Sequence, residues 1–148
     1  MSITEHMETI SRGAEGRPRF YFHPGVMLSR VANPIVVALG RKPVLAVRGR
    51  RSGKLIRVPM DPPFEWNGNR YLVSPRGETH WARNLRAAGQ ADLRTRRGLE
   101  HLRVVEIDGA ERDVVVRTYA GTITCHCLQY MKQLPDPADH PVFRVEAR

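Results

Sequence analysis

Cysteine is scarce in this sequence: Cys125 and Cys127, on either side of His126, are the only two. Thiols one residue apart cannot staple a fold, and without a second pair they cannot complete a four-ligand zinc site. A reduced thiol pair is the expectation. Long apolar runs are missing as well. The longest, Pro34 to Leu39, is far short of the roughly 20 residues that a membrane helix needs. No apolar stretch opens the chain, and Glu5, Glu8 and Glu15 argue against a signal or transit segment, so a cytoplasmic location is expected. Aromatic residues make up only 7%, and no nucleic-acid motif is present, so no nucleic-acid partner is expected despite the charge. Among the six histidines no two lie four apart, the spacing of a helical metal site. No metal is expected. Lysine is confined to positions 42, 54 and 132.

What remains is arginine. Against 15 acidic residues stand 24 lysines and arginines, giving a formal charge of +9. Codon bias is one source of such a composition, and anion binding through the two parallel hydrogen bonds of a guanidinium is another. Composition does not separate the two. The length of 148 residues, with 41% hydrophobic and 26% charged, fits one globular domain with one core.

Residues 1–19 are polar, contain Gly13 and Gly16 and show no periodicity, which reads as a flexible tail before a single domain over 20–148. From Phe20 to Leu39 a broken helical pattern, interrupted at Asn33-Pro34, predicts one or two short helices. Strand-like runs follow at Pro43–Val47, Leu55–Met60, Phe64–Trp66 and Arg70–Ser74, the last two joined by the hairpin signal Asn67-Gly68-Asn69. Thr79 can cap a helix that carries Trp81, Leu85 and Ala88 on one face and closes at Gly89. Ala91–Arg96 and Leu99–Ile107 read as strands, Glu111–Tyr119 as a helix despite Val114-Val115-Val116, and Val142–Val145 as a last strand. Arg94, Arg96 and Arg97 read as the charge run of an edge strand. The order implies an α+β fold: about six mostly antiparallel strands, in a small barrel, with flanking helices.

Two clusters carry chemistry. Gly49-Arg50-Arg51-Ser52-Gly53-Lys54 sets three cations and a hydroxyl on a glycine-bounded turn, where backbone N–H groups can form an anion nest. The glycine spacing of a Walker loop is absent. Arg57 follows, then the apolar strip Val58-Pro59-Met60. Ser74-Pro75-Arg76-Gly77 precedes the helix start, a second place for a phosphate. The two clusters lie 20 to 30 residues apart, on adjacent strand ends.

These residues, with Tyr71-Leu72-Val73-Ser74, Trp81 and Asn84-Leu85, resemble the deazaflavin-dependent nitroreductase family over about 40 residues. The resemblance implies a split β-barrel, as in flavin reductases, and an oxidoreductase that uses reduced coenzyme F420 to deliver a hydride to a nitro compound, quinone or activated alkene. By matching position, Arg51, Ser52, Lys54 and Arg57 would bind the cofactor's phosphodiester and polyglutamate tail. Val58, Pro59 and Met60 would flank the ring; Ser74, Arg76 and Gly77 would take the phosphate side; Trp81 and Asn84 would complete the pocket. Tyr119 and Tyr130 are candidates for proton delivery. Two departures stand out: Ala82 where many relatives have an aromatic, and Pro75, which removes an N–H donor. An FMN-binding reductase or oxidase of the same fold and a non-catalytic carrier of cofactor or lipid are the alternatives. The partner expected is a small-molecule electron acceptor, with the protein a monomer or homodimer. Arg57, read as partly desolvated, is expected to matter more to cofactor binding than Arg97.

Overall fold

The computed structural model describes residues 7–12, 18–22, 42–122 and 127–146. Strands β1 (Met7–Arg12) and β2 (Pro18–Phe22) pair antiparallel, with the register irregular between Thr9 and Ser11. Strand pairing thus occupies part of the segment where the sequence shows no periodicity. It also takes residues 20–22 of the expected helical stretch; residues 23–39 of that stretch lie outside the described residues.

The remaining strands are β3 (Val44–Arg48), β4 (Leu55–Pro59), β5 (Phe64–Trp66), β6 (Asn69–Val73), β7 (Gln90–Thr95), β8 (Gly98–Ile107) and β9 (Val142–Val145). They form one seven-stranded sheet in the order β4-β3-β7-β8-β9-β6-β5, and every pairing is antiparallel. The fold is α+β, with an open antiparallel sheet consistent with a split barrel. Strand β8 joins its halves: residues 98–103 pair with β7 and residues 104–107 pair with β9. β7 is therefore an inner strand, held by β3 on one side and β8 on the other. This corrects the edge-strand reading of Arg94, Arg96 and Arg97, because local charge does not reveal strand order.

Helix α1 (His80–Ala88) crosses from β6 to β7 and fills the main core. The signals at its ends act as the sequence implies. Thr79 Oγ1 accepts the Ala82 N–H at 3.3 Å, and Gly89 takes φ 69°, its N–H donating to Leu85 C=O at 2.8 Å. Leu85 and Ala82 are fully buried against Leu45, Val47, Leu93, Leu102 and Phe143. Such burial contributes about 1.5–3 kcal/mol for a leucine.

Helix α2 (Gly109–Thr122) covers the other face of the β8-β9-β6-β5 half. Its three successive valines have strand propensity, but Val115, Val116 and Tyr119 reach a second apolar cluster with Tyr71, Ile107 and Val142, and packing prevails. Helix α3 (Cys127–Gln133) and a 3-10 turn at Pro137–Asp139, neither read from the sequence, precede β9. Cys125 lies outside the described residues, and with it the thiol pair. Among the described residues no helix is long and apolar enough to cross a membrane.

Candidate functional site

The β3–β4 turn is folded by its own backbone. Gly49 N–H donates to Lys54 C=O at 2.8 Å, and Gly53 N–H donates to Gly49 C=O at 2.9 Å. Lys54 N–H donates to Ser52 Oγ at 3.2 Å, and Arg48 Nη1 donates to Gly53 C=O at 2.6 Å. Gly53 has φ 70°, and a Cβ on Gly49 would lie 2.8 Å from Ser52 Oγ, so both glycines are required by the backbone path. These bonds consume most of the N–H groups that a nest would offer; within the described residues only those of Arg51 and Ser52 stay uncommitted. The turn presents side-chain charge more than backbone dipoles.

Helix α1 anchors that charge. Asn84, 3% exposed, accepts through Oδ1 both the Arg50 N–H at 3.1 Å and Arg50 Nη1 at 2.7 Å. Arg50 is half-buried. Desolvation, followed by the nearby charges of Arg83 and Arg51, pulls its pKa below the ordinary guanidinium value. Arg83, one turn from the helix start, donates Nη2 to His80 Nδ1 at 3.2 Å. Arg50, held by a buried amide, thus sits where the like charges of Arg83 and Arg51 repel it. Such a cluster gains from an anion.

The second loop is closed on itself. Ser74 is fully buried, and its Oγ donates to Gly77 C=O at 2.6 Å. With that proton committed, Thr79 Oγ1 donates across the 3.2 Å to Ser74 Oγ. His140, also fully buried, places Nδ1 3.0 Å from Ser74 C=O and Nε2 2.7 Å from Leu134 C=O. The Ser74 hydroxyl shapes the turn and keeps no proton for a ligand. Gly77, at φ 89°, makes the turn possible. Arg76 is half-buried with its guanidinium carbon 5.8 Å from the centre of the Tyr130 ring, a cation–π contact. Next in the chain, Glu78 is 2% exposed and takes a two-pronged bond from Arg86, Nη1 at 2.9 Å and Nη2 at 2.7 Å; Arg86 also reaches Glu106. These hydrogen bonds and the two carboxylates raise the Arg86 pKa despite burial, which opposes the rise.

The structure thus brings Asn84 to the basic turn and Arg76 to Tyr130. Trp81 is half-buried on the core side, its ring 6.2 Å from Phe143. Met60 packs on the same core, and Val58 and Pro59 are half-buried on the edge strand. Lys54 and Ser52 are exposed in the turn. Arg57 stands apart: it is exposed, opposite Ala46, and faces away from α1. The partial desolvation expected of it belongs to Arg50 instead. Tyr119 packs edge-on against Phe64, 5.5 Å between ring centres, in the second apolar cluster. Arg83, Glu78 and His140 are not singled out by sequence as parts of a site, and Arg50 enters only as one of the three cations of the basic turn. A signal for Arg50 existed in its partner: Asn84 interrupts the apolar stripe of Trp81, Leu85 and Ala88, and a polar residue there calls for a buried partner.

No family model matches the chain, and no curated protein matches it. Among solved structures it is similar to an F420-H2 dependent reductase, with 24% identity and a TM-score of 0.48, covering 70% of this chain and 92% of that one. A conserved hypothetical protein from Mycobacterium tuberculosis is 20% identical, with 77% of each chain covered and a TM-score of 0.44. A protein of unknown function from Agrobacterium tumefaciens is 18% identical, covering 84% of this chain and 59% of that one at a TM-score of 0.48.

Proposed function

We propose that this chain is an F420-dependent oxidoreductase that acts on a nitro compound, quinone or activated alkene. One observation carries the reading: the guanidinium of Arg50, fixed to α1 by the buried amide of Asn84, with the charges of Arg83 and Arg51 acting on it. This donor set fits a polyanionic cofactor. Arg50, Arg51, Lys54 and Arg83 would hold its phosphodiester and carboxylates, with Ser52 beside them and Arg57 reaching the tail around the edge strand. Arg76 and Gly77 would line the second loop, which the inward-turned Ser74 shapes. Val58, Pro59, Met60 and Trp81 would supply apolar contact for a ring system. Bound reduced F420 supplies the hydride. The protein's residues bind and orient it and neutralise its charge.

A non-catalytic carrier is the second reading. It is favoured by the packing of Tyr119, 7% exposed, edge-on against Phe64 inside an apolar cluster. Titration of the purified protein with oxidised F420 and with FMN, followed by fluorescence quenching, tests the cofactor. F420 should bind at least about tenfold more tightly, a difference of 1.4 kcal/mol. Equal affinity would remove the reason to choose the longer anion. Turnover of a nitro compound or quinone by the loaded protein separates enzyme from carrier.

A further inference from the structure

On the face of the sheet turned away from α1, Val44 and Ala46 of β3 alternate with the core residues Leu45 and Val47. Across the strands Ala46 is flanked by Arg57 of β4 and Asp92 of β7, and Val44 by Arg94 of β7. Together they line a groove of about 420 Å³. Its floor is apolar: Val44 is only 7% exposed although it points away from the core, and Leu99 of β8 adds a side chain that is 60% exposed. Its walls are cationic, with Arg57 on one side and Arg94 and Arg96 on the other. Within the described residues none of these three guanidinium groups makes an ion pair or hydrogen bond. The acid in the groove is already engaged, Asp92 lying 2.7 Å from His101 Nδ1. At the rim, Lys42 reaches Asp61 at 3.4 Å.

Guanidinium walls over an apolar floor fit a ligand that carries both characters. Arg57 and Arg94 stand on strands two spacings apart, about 10 Å, which leaves room for a flat ring system over Ala46. We propose that this groove binds a small organic anion with a flat apolar body, an aromatic carboxylate or sulfonate. The groove lies on the opposite face from the Asn84 clamp and shares only Arg57 with the F420 reading, so Arg94 tests it separately.

The test is a titration of the full chain with 8-anilinonaphthalene-1-sulfonate at low salt. The dye's emission should rise on binding, 2-naphthoate should displace it, and the uncharged 2-naphthalenemethanol should displace it far less well. Arg94→Glu and Ala46→Leu should each weaken dye binding about tenfold, the first by reversing a wall charge and the second by filling the floor. Arg117→Ala, on the exposed face of α2, should bind as wild type. Circular dichroism checks that each variant folds, and Arg94→Glu alone decides the matter if Ala46→Leu does not. Equal displacement by acid and alcohol, or wild-type dye affinity in Arg94→Glu, would overturn the proposal.

Discussion

Asn84 is one polar atom group on an apolar stripe, and it joins the helix to the basic turn. Replacing it with alanine removes both acceptor bonds to Arg50 and leaves a half-buried guanidinium without its amide. The expected loss is about 1–3 kcal/mol, read from urea denaturation. The sequence marked Asn84, but the family resemblance points to Arg51 where the structure bonds Arg50 to that amide. Adjacent arginines on a turn are equivalent until the turn docks, and only the docked turn aims one at the helix. Arg57 shows the same gap from the other side: strand alternation sends it away from α1, and its value depends on which face the ligand uses. At Glu111 the residue scale also sets a pH dependence. Its carboxylate accepts Arg144 Nη1 at 2.8 Å and Tyr71 OH at 3.0 Å, and chiefly the Arg144 bond holds its pKa below the ordinary carboxylate range. A depressed folded pKa means that the stabilisation is present above the unfolded value, about 4.3, and is lost as pH falls through the folded one. The stability gap between wild type and Glu111→Gln should therefore be constant from neutral pH down to about pH 5 and close below about pH 4. A gap that widens on acidification would contradict the ion pair.

At the scale of elements, α1 and strands β3 to β9 were legible because turn chemistry bounds most of them, whereas the β1–β2 pair was not. Thr79 and Gly89 act at the two helix ends, and Asn67, at φ 50°, and Gly68, at φ 77°, form the tight hairpin between β5 and β6. The place of β7 inside the sheet was not legible, since a strand's neighbours are set by long-range pairing and its arginines look alike at an edge or on an open face. Two glycine substitutions check the helix ends. Gly89→Ala meets no atom within 4 Å of its Cβ, so only the left-handed φ opposes it, at about 1–2 kcal/mol. Gly121→Ala also has open space but sits in the last turn of α2 without a positive φ, and should stabilise by about 0.4–1 kcal/mol. Thermal or urea melts of the pair should move in opposite directions. Glu78 is the other element-level brace, buried before α1 and tied to its last turn through Arg86. Glu78→Ala should cost about 2 kcal/mol because it strips a charged partner from Arg86. A melt unchanged within error would mean that Glu106 alone satisfies Arg86.

For the whole molecule, a charge of +9 carried mostly by arginine attracts anions in general, and that attraction must be told apart from a built site. The turn cluster is partly open to solvent, so F420 affinity should fall between about 50 and 500 mM salt, where such pairs are increasingly screened. Constant affinity over that span would count against charge as the source of binding. The central claim is that Arg50, held by Asn84, belongs to the F420 site, and that Arg97 of the β7–β8 turn does not. It is tested most directly by the dissociation constant of oxidised F420, measured by fluorescence quenching for wild type, Arg50→Ala and Arg97→Ala, with circular dichroism as the folding control. The account predicts binding at micromolar concentration or below for wild type and a loss of about 2–5 kcal/mol for Arg50→Ala, where a partly buried charge is removed from an anionic partner. For Arg97→Ala, in the exposed β7–β8 turn, it predicts a loss of at most about 1 kcal/mol. Equal small losses in the two variants, or a larger one at Arg97, would contradict it.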